Sequence, residues 1–314
     1  MEEALYSQFG FFNTDLVRSA KKGDFLTSPE VSIYFGKILR NWINNSCNLN
    51  KIVEIGSGTG SLIEQIGIKE ITAIELSSTA REELINKGIM THTNVNELTL
   101  EKSELVFGNE ILDNVPCSIG IYRDKVWYEK VVAIQENSFS YDIKPIRNEE
   151  LDWINKNNIV PNEDHELEIQ VNIDKFLNTV IKKISPKNIL LFDYGYEQAN
   201  REKRKYNSFL RTYKNHHLSV DPIEDPGNID ITYDVNFSSL SRELKTLGYD
   251  VTLKLQRNFL LENGFDIIFD ELQEKYLVAE GMEKLKINSE LNGLKAIVDL
   301  NGLGGFYCLN AQKL

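Results

Sequence analysis

Lys51-Ile-Val-Glu-Ile-Gly-Ser-Gly-Thr-Gly60 is the stretch that decides the fold. Ile52–Ile55 is a short apolar run interrupted by one acid, the length of a buried strand. Three glycines at alternate positions, Gly56, Gly58 and Gly60, follow at once. Glycine lets a backbone turn tightly and approach a ligand with no Cβ in between. From Ser61 the pattern turns helical. Strand, glycine loop and helix in that order make the first unit of a doubly wound sheet, where nucleosides bind. The spacing is GxGxG. A dinucleotide loop, GxGxxG, needs glycine or alanine where Ser61 stands, which argues against a nicotinamide-dependent oxidoreductase. No Gly-Lys-Ser/Thr follows, so the loop is not a phosphate-binding P-loop either.

The same alternation continues outward. Ile71-Thr-Ala-Ile-Glu75 reads as a second strand, with Ser77 capping a helix to about Lys87. Met90 to Asn94 and Leu105-Val-Phe-Gly108 read as a third and a fourth. Strands alternating with helices of about ten residues imply parallel βαβ units. The pattern returns with a helix at 173–185, a strand at 188–192, a helix at 237–247, a strand at 249–255 and a last strand near 305–309. Between these, 118–122, 126–134 and 138–143 predict an antiparallel meander, followed by a helix near 148–157. The stretch 196–236, with Pro222, Pro226 and Gly227, reads as long and irregular, a length usual in functional or disordered loops. Before the first strand, helical periodicity covers Met1 to Asn45 with a break at 21–29. Thr27-Ser-Pro-Glu30 has the form of a capping box, starting a helix that runs to about Asn45. The prediction is an α/β fold with a mostly parallel, doubly wound sheet. Its parts are a helical cap at 1–50, a core at 51–116 and 173–314, and an inserted antiparallel subdomain at 117–172 over the sheet's carboxyl edge.

Composition narrows the function. The chain has 314 residues, with 35 Lys plus Arg against 47 Asp plus Glu, a formal net charge of −12. Nucleic-acid binding without sequence preference needs a basic face, so no nucleic-acid partner is expected. Cys47, Cys117 and Cys308 are an odd set far apart with no CxxC, which points to a reducing compartment. No apolar run is long enough for a membrane span, and Met1–Phe12 has neither a basic start before an apolar core nor an arginine-rich character. A cytoplasmic location is therefore expected. His92, His165, His216 and His217 show no metal-binding spacing, so no metal site is expected. A loop histidine at 216 or 217 can take a proton beside an active site, or simply be solvated.

Carboxylates mark the candidate site. Glu75 closes the second strand, where an acid can accept two hydrogen bonds from a ribose diol. Glu54 stands two residues before the first glycine. Asn109 and Glu110 lie just past the fourth strand, and Asp113 falls three residues beyond Glu110. If a helical turn forms there, both acids point the same way and can clamp a guanidinium, which a carboxylate takes with two parallel hydrogen bonds. Asn109, Glu110 and Asp113 are the candidate catalytic residues. Read blandly, the glycine loop only joins strand to helix, and the later acids only favour a helix N-terminus.

Together, Glu54, the GxGxG loop and Glu75 look like the S-adenosylmethionine site of Rossmann-like class I methyltransferases. The cofactor carries a sulfonium and an ammonium and no phosphate, so acids around it are tolerable. More specifically, the chain resembles the MidA-type S-adenosylmethionine-dependent methyltransferases, whose mitochondrial members are complex I assembly factors that methylate a protein arginine. The resemblance rests on Ala4-Leu-Tyr6 with Gly10-Phe-Phe12, Gly23-Asp-Phe-Leu-Thr-Ser-Pro-Glu30 with Phe35-Gly36, and Val53–Gly60. It extends over Asn109-Glu-Ile-Leu-Asp-Asn-Val-Pro116, Asp193-Tyr-Gly195, Leu210-Arg-Thr-Tyr213, Asp221-Pro222, Asp225-Pro-Gly227 and Asp230-Ile-Thr232. It implies S-adenosylmethionine as cofactor, held by Gly23, Thr27, Ser28, Glu54, Gly56, Gly58, Gly60, Glu75 and Asn109. It also implies a protein substrate, by resemblance a respiratory complex I subunit. Taken alone, Gly23–Ser28 also reads as a capped helix start. Two positions depart from the family, which usually has His and Asp where this chain has Asp234 and Asn236. They carry the alternative of a non-catalytic assembly factor that retains the fold.

Overall fold

Ile52–Ile55, strand β1, has all four residues buried, so it lies inside a sheet rather than at an edge. The computed structural model describes residues 1–13, 27–99, 102–203, 210–214, 217–218 and 221–314. Six further strands complete the central sheet: β2 (Ile71–Ile74), β3 (Met90–His92), β4 (Leu105–Asn109), β5 (Asn188–Asp193), β6 (Tyr249–Leu255) and β7 (Tyr307–Lys313). Their order across the sheet is β6-β7-β5-β4-β1-β2-β3. Neighbours from β5 to β3 pair in parallel, and β7 runs antiparallel to both β5 and β6. The order reverses direction at β1 and β4. Their carboxyl ends therefore open a crevice at the switch point, where ligands bind in such sheets.

Both faces are covered, as the near-continuous apolar strands require. In β5, Leu190 and Phe192 pack against one helical layer with Phe35, Leu39, Phe259 and Leu294. Ile189 and Leu191 face the other layer, with Leu177, Leu240 and Leu244. The period of two along a strand sets this division.

The meander is present as Ser118–Arg123, Val126–Gln135 and Ser138–Pro145. A fourth strand that the sequence reading missed, Glu166–Ile169, pairs antiparallel with the first. Its Leu167 and Ile169 pack on Trp153 and Ile154. The described residues of 196–236 are more regular than expected. Leu210–Lys214 and Asp230–Tyr233 pair antiparallel, with Arg211 opposite Thr232. The partners are far apart in sequence and prolines lie between them, so no local pattern announces the pairing. The expected helix at 27–45 is two helices, Ser28–Val31 and Tyr34–Ser46, because Ser32 is extended between them. The Thr27 N–H donates to Glu30 at 3.1 Å, as the capping box predicts. The first helix is short, Glu2–Tyr6, and is followed by a 3-10 turn at Phe11–Asn13. The last strand begins later and runs further than expected, since Gly304 and Gly305 belong to a turn. Among the described residues no helix is long and apolar enough to cross a membrane.

Candidate active site

The glycine loop leaves β1 with left-handed backbone at Gly56 (φ 70°), Gly58 (φ 51°) and Gly60 (φ 84°). Two of the three are also fixed by protein packing. A Cβ on Gly56 would stand 2.3 Å from Ile111 Cγ2, and one on Gly60 2.7 Å from Leu84 Cδ2. The loop bounds a cavity of about 570 Å³ at the carboxyl ends of β1, β2 and β4. Glu54, Gly56, Gly58, Glu75, Asn109 and Glu110 line it, together with Thr27. Three of the expected residues are not in the lining: Gly60, Ser28 and Asp113. Gly23 lies outside the described residues.

Glu75 is clamped by its surroundings. Its Oε2 accepts the Gly58 N–H and its Oε1 the Ser77 N–H, both at 2.8 Å. Burial raises its pKa, and these two N–H groups pull it partly back. Glu54 is only 2 % exposed, and its buried Oε2 makes no hydrogen bond. Burial pushes its pKa up to about 8, against a hydrogen bond from Ser57. A buried carboxyl oxygen without a partner is costly and calls for a ligand that supplies a donor or a positive charge.

Glu110 adopts φ 53°, rare for a residue with a side chain, and its N–H donates to Phe192 O at 2.8 Å. Its Oε1 accepts from Asn109 Nδ2 at 2.8 Å and from the Ser28 N–H at 3.3 Å. Its Oε2 takes part in neither bond. Burial lifts the Glu110 carboxyl to about 8. Because Asn109 Nδ2 is engaged, its Oδ1 is the acceptor left over, and that atom is buried without a partner. Ser28 thus reaches the site through its backbone. Its Oγ bonds with Gln256 in the core.

Asp113 does not join Glu110, which corrects the expectation of a paired clamp. No helical turn forms after β4. Asp113 turns into the protein, where Tyr194 Oη donates to its Oδ2 at 2.5 Å. Asp193 explains the bend. Its Oδ2 accepts the backbone N–H groups of Leu112 (2.8 Å) and Asp113 (3.3 Å). Burial and mutual repulsion raise the Asp193 carboxyl, and burial raises that of Asp113. Asp193 is not among the site residues expected from sequence; the available signal is an acid at the end of a strand in the same parallel sheet as β4.

The two departures stand away from the cavity lining. Asn236 Oδ1 accepts the Ser239 N–H at 3.1 Å and caps the helix Phe237–Thr246, a role aspartate fills equally well. Asp234 pairs with Arg211, whose guanidinium lies 4.9 Å from the Tyr194 ring centre. Of the histidines, His216 lies outside the described residues and His217 falls in the short strand His217–Leu218. His92 belongs to β3, and its Nδ1 is 3.8 Å from Glu97; His165 is exposed.

The residues present fit S-adenosylmethionine. Glu75 stands where a ribose diol would be held, Glu54 offers an unpartnered acid to an ammonium, and the glycine cradle keeps Cβ atoms away. Comparison with known proteins agrees. Residues 36–253 match the family described as "Putative S-adenosyl-L-methionine-dependent methyltransferase". The Caenorhabditis elegans protein named protein arginine methyltransferase NDUFAF7 homolog, mitochondrial, is 25 % identical, across 83 % of this chain and 70 % of its own length. Rat NDUFAF7, also named a mitochondrial protein arginine methyltransferase, is 25 % identical, across 81 % of this chain and 67 % of its own. A Burkholderia thailandensis protein crystallised with S-adenosyl-homocysteine shares the fold, with a TM-score of 0.85 at 22 % identity, covering 99 % of this chain and 86 % of that one. With the sheet order, the acidic crevice and a family match over more than half its length, the chain belongs to the S-adenosylmethionine-dependent methyltransferases.

Proposed function

We propose that this methyltransferase acts on an arginine side chain of a protein. The observation that carries the reading is the pair of acceptors at the end of β4. Asn109 Oδ1 and Glu110 Oε2 remain after the internal hydrogen bonds are assigned, and both residues line the cofactor cavity. Two oxygen acceptors suit the several N–H donors of a guanidinium. The names of the curated relatives support the same substrate.

S-adenosylmethionine, when bound, supplies an electrophilic methyl group on a sulfonium. The chain's own contribution is mostly positioning, since displacement at carbon needs an in-line approach. Glu75 would hold the ribose and Glu54 the amino-acid end. Asn109 fixes the Glu110 carboxylate through Nδ2. Glu110 then orients the guanidinium nitrogen and takes the proton that nitrogen sheds as it gains the methyl group. Asp113, Asp193 and Tyr194 act one layer back, setting the path of residues 110–113.

The test is mass spectrometry of arginine peptides, beginning with arginine segments of a respiratory complex I subunit, incubated with the protein and S-adenosylmethionine. A gain of 14 mass units (one CH₂, about the increment expected per methyl) on arginine, lost in Glu110→Ala, supports the reading. Transfer that survives Glu110→Ala undiminished defeats the assigned role. A non-catalytic assembly factor was motivated by Asp234 and Asn236. Both are engaged in structural contacts outside the cavity lining, which favours the enzyme.

A further inference from the structure

Beyond the strand ends, the cavity is walled by the first residues of the chain. Leu5 and Phe11 are fully buried against Ile229 and Ile231. At Gly10 the chain folds back so closely that a Cβ would lie 2.6 Å from the Leu5 carbonyl carbon. The fold-back stacks Phe12 on Tyr6, with ring centres 5.5 Å apart and planes 20° from parallel. Phe11 braces Phe12 edge-on at 5.2 Å. Tyr6 Oη donates to Asn114 O at 3.1 Å, and Asn13 Nδ2 donates to Tyr6 O at 2.8 Å. The ring pair is therefore held from several sides.

Tyr6, Phe12 and Glu2 line the same cavity as Glu110. Among the described residues lining it, none is Lys or Arg, whereas Glu2, Glu30, Glu54, Glu75 and Glu110 all are present. The region favours positive charge, since a cation beside these acids lowers the cost of ionising them. The Tyr6 phenol is pushed up first by burial and then by the carboxylates of Asp113, Asp230 and Glu75. A neutral or anionic acceptor gains nothing from these surroundings, and a cation does. Of the biological cations, guanidinium is planar and weakly hydrated and packs on aromatic rings, whereas ammonium is compact and strongly hydrated.

We infer that Tyr6, Phe12 and Glu2 form the acceptor subsite, where the substrate guanidinium lies against the ring pair between Glu2 and Glu110. This inference rests on the arginine reading and adds the residues that select the side chain. They come from a segment far in sequence from the glycine loop. Tyr6 and Phe12 are specificity-determining, and Glu2 supplies charge at the outer edge.

The experiment uses the full chain with S-adenosylmethionine, an arginine peptide and its lysine counterpart. Phe12→Leu keeps an apolar side chain and removes the ring. It should raise KM for the arginine peptide about five- to tenfold, with kcat within about twofold. Glu2→Gln, at an exposed position, should raise KM about twofold, less so at high salt. Both variants should bind S-adenosyl-homocysteine as the wild type does. If Phe12→Leu loses that binding, its fold is disturbed and Glu2→Gln decides. Unchanged KM in a variant that still binds S-adenosyl-homocysteine, while the wild type methylates arginine, overturns the subsite and leaves the arginine reading intact. A wild type that methylates no arginine peptide, or prefers lysine, removes the arginine reading itself and the subsite with it.

Discussion

Glu110 combines three features: left-handed backbone, a half-buried carboxyl, and one oxygen outside the internal bonds. Its pKa of about 8 has a kinetic consequence. In the free enzyme the group is largely protonated at neutral pH and becomes a competent acceptor as pH rises. The kcat/KM for an arginine peptide should therefore climb tenfold per pH unit below about 8 and level off above it. Glu110→Gln should flatten this limb and lower kcat/KM by about 10²–10⁴-fold. Glu54 titrates in the same range, so S-adenosyl-homocysteine affinity measured across the same pH interval separates the two groups. A wild-type limb that persists in Glu110→Gln while cofactor affinity stays level would assign the base elsewhere. This residue was legible as a site candidate from its place after a strand. Its separation from Asp113 was not, because the bend between them depends on Asp193, some eighty residues later.

Among the elements, the glycine loop shows how much a short motif conveys. The GxGxG spacing announced a strand-loop-helix unit, and the structure has it. The letters alone did not tell which glycine serves the ligand and which serves packing. Gly60 belongs to the second kind, with φ 84° and Leu84 where its Cβ would go. Gly88 is a useful contrast, with φ 74° and nothing within 4 Å of an added Cβ. Gly88→Ala should cost about 1 kcal/mol of stability from backbone strain alone. Gly60→Ala should cost more, about 2–4 kcal/mol, because the Leu84 layer must also shift. Urea unfolding of both variants checks this, and equal losses would mean that the Leu84 contact relaxes without cost. The inner strands of the central sheet were legible because β1, β2, β4 and β5 are short apolar runs between turn residues. Leu210–Lys214 and Asp230–Tyr233 were not, since what stabilises them is pairing across a prolyl-rich gap.

At the scale of the whole molecule, the buried acids shape the response to pH. Burial raises Glu54 and Glu110 to about 8 and Asp174 to about 7, all above their unfolded values. The folded state then binds more protons than the unfolded one between about pH 4.5 and 8. The stability these groups contribute is full below their unfolded pKa values and is lost as pH rises through 7 and 8. The ligand-free protein should accordingly lose stability from pH 6 to pH 9, by an amount on the order of a few kcal/mol summed over these groups, and its melting temperature should fall with it. S-adenosylmethionine is cationic and should raise the melting temperature more at about pH 8.5, above the carboxyl range, than at about pH 6, below it. Scanning calorimetry at the two values tests both signs. A melting temperature that rises steadily toward pH 9 would show that these carboxyls ionise in the fold without penalty.

The antiparallel excursion after β4 leaves and rejoins the sheet at one place. Ser118 lies directly opposite Ile169, and Asn172 Nδ2 reaches across to Pro116 O at 2.8 Å. The excursion has its own apolar cluster around Trp153, Ile154 and Leu167, and polar ties such as Lys156 with Glu243 join it to the core, so we propose that it is detachable, much as a cartridge sits in its holder. Replacing residues 119–168 by a short glycine-serine bridge should leave a protein that still folds cooperatively and captures S-adenosyl-homocysteine, yet no longer modifies the protein target we propose. On that proposal the cartridge chooses the client and the donor chamber beneath it serves any client alike.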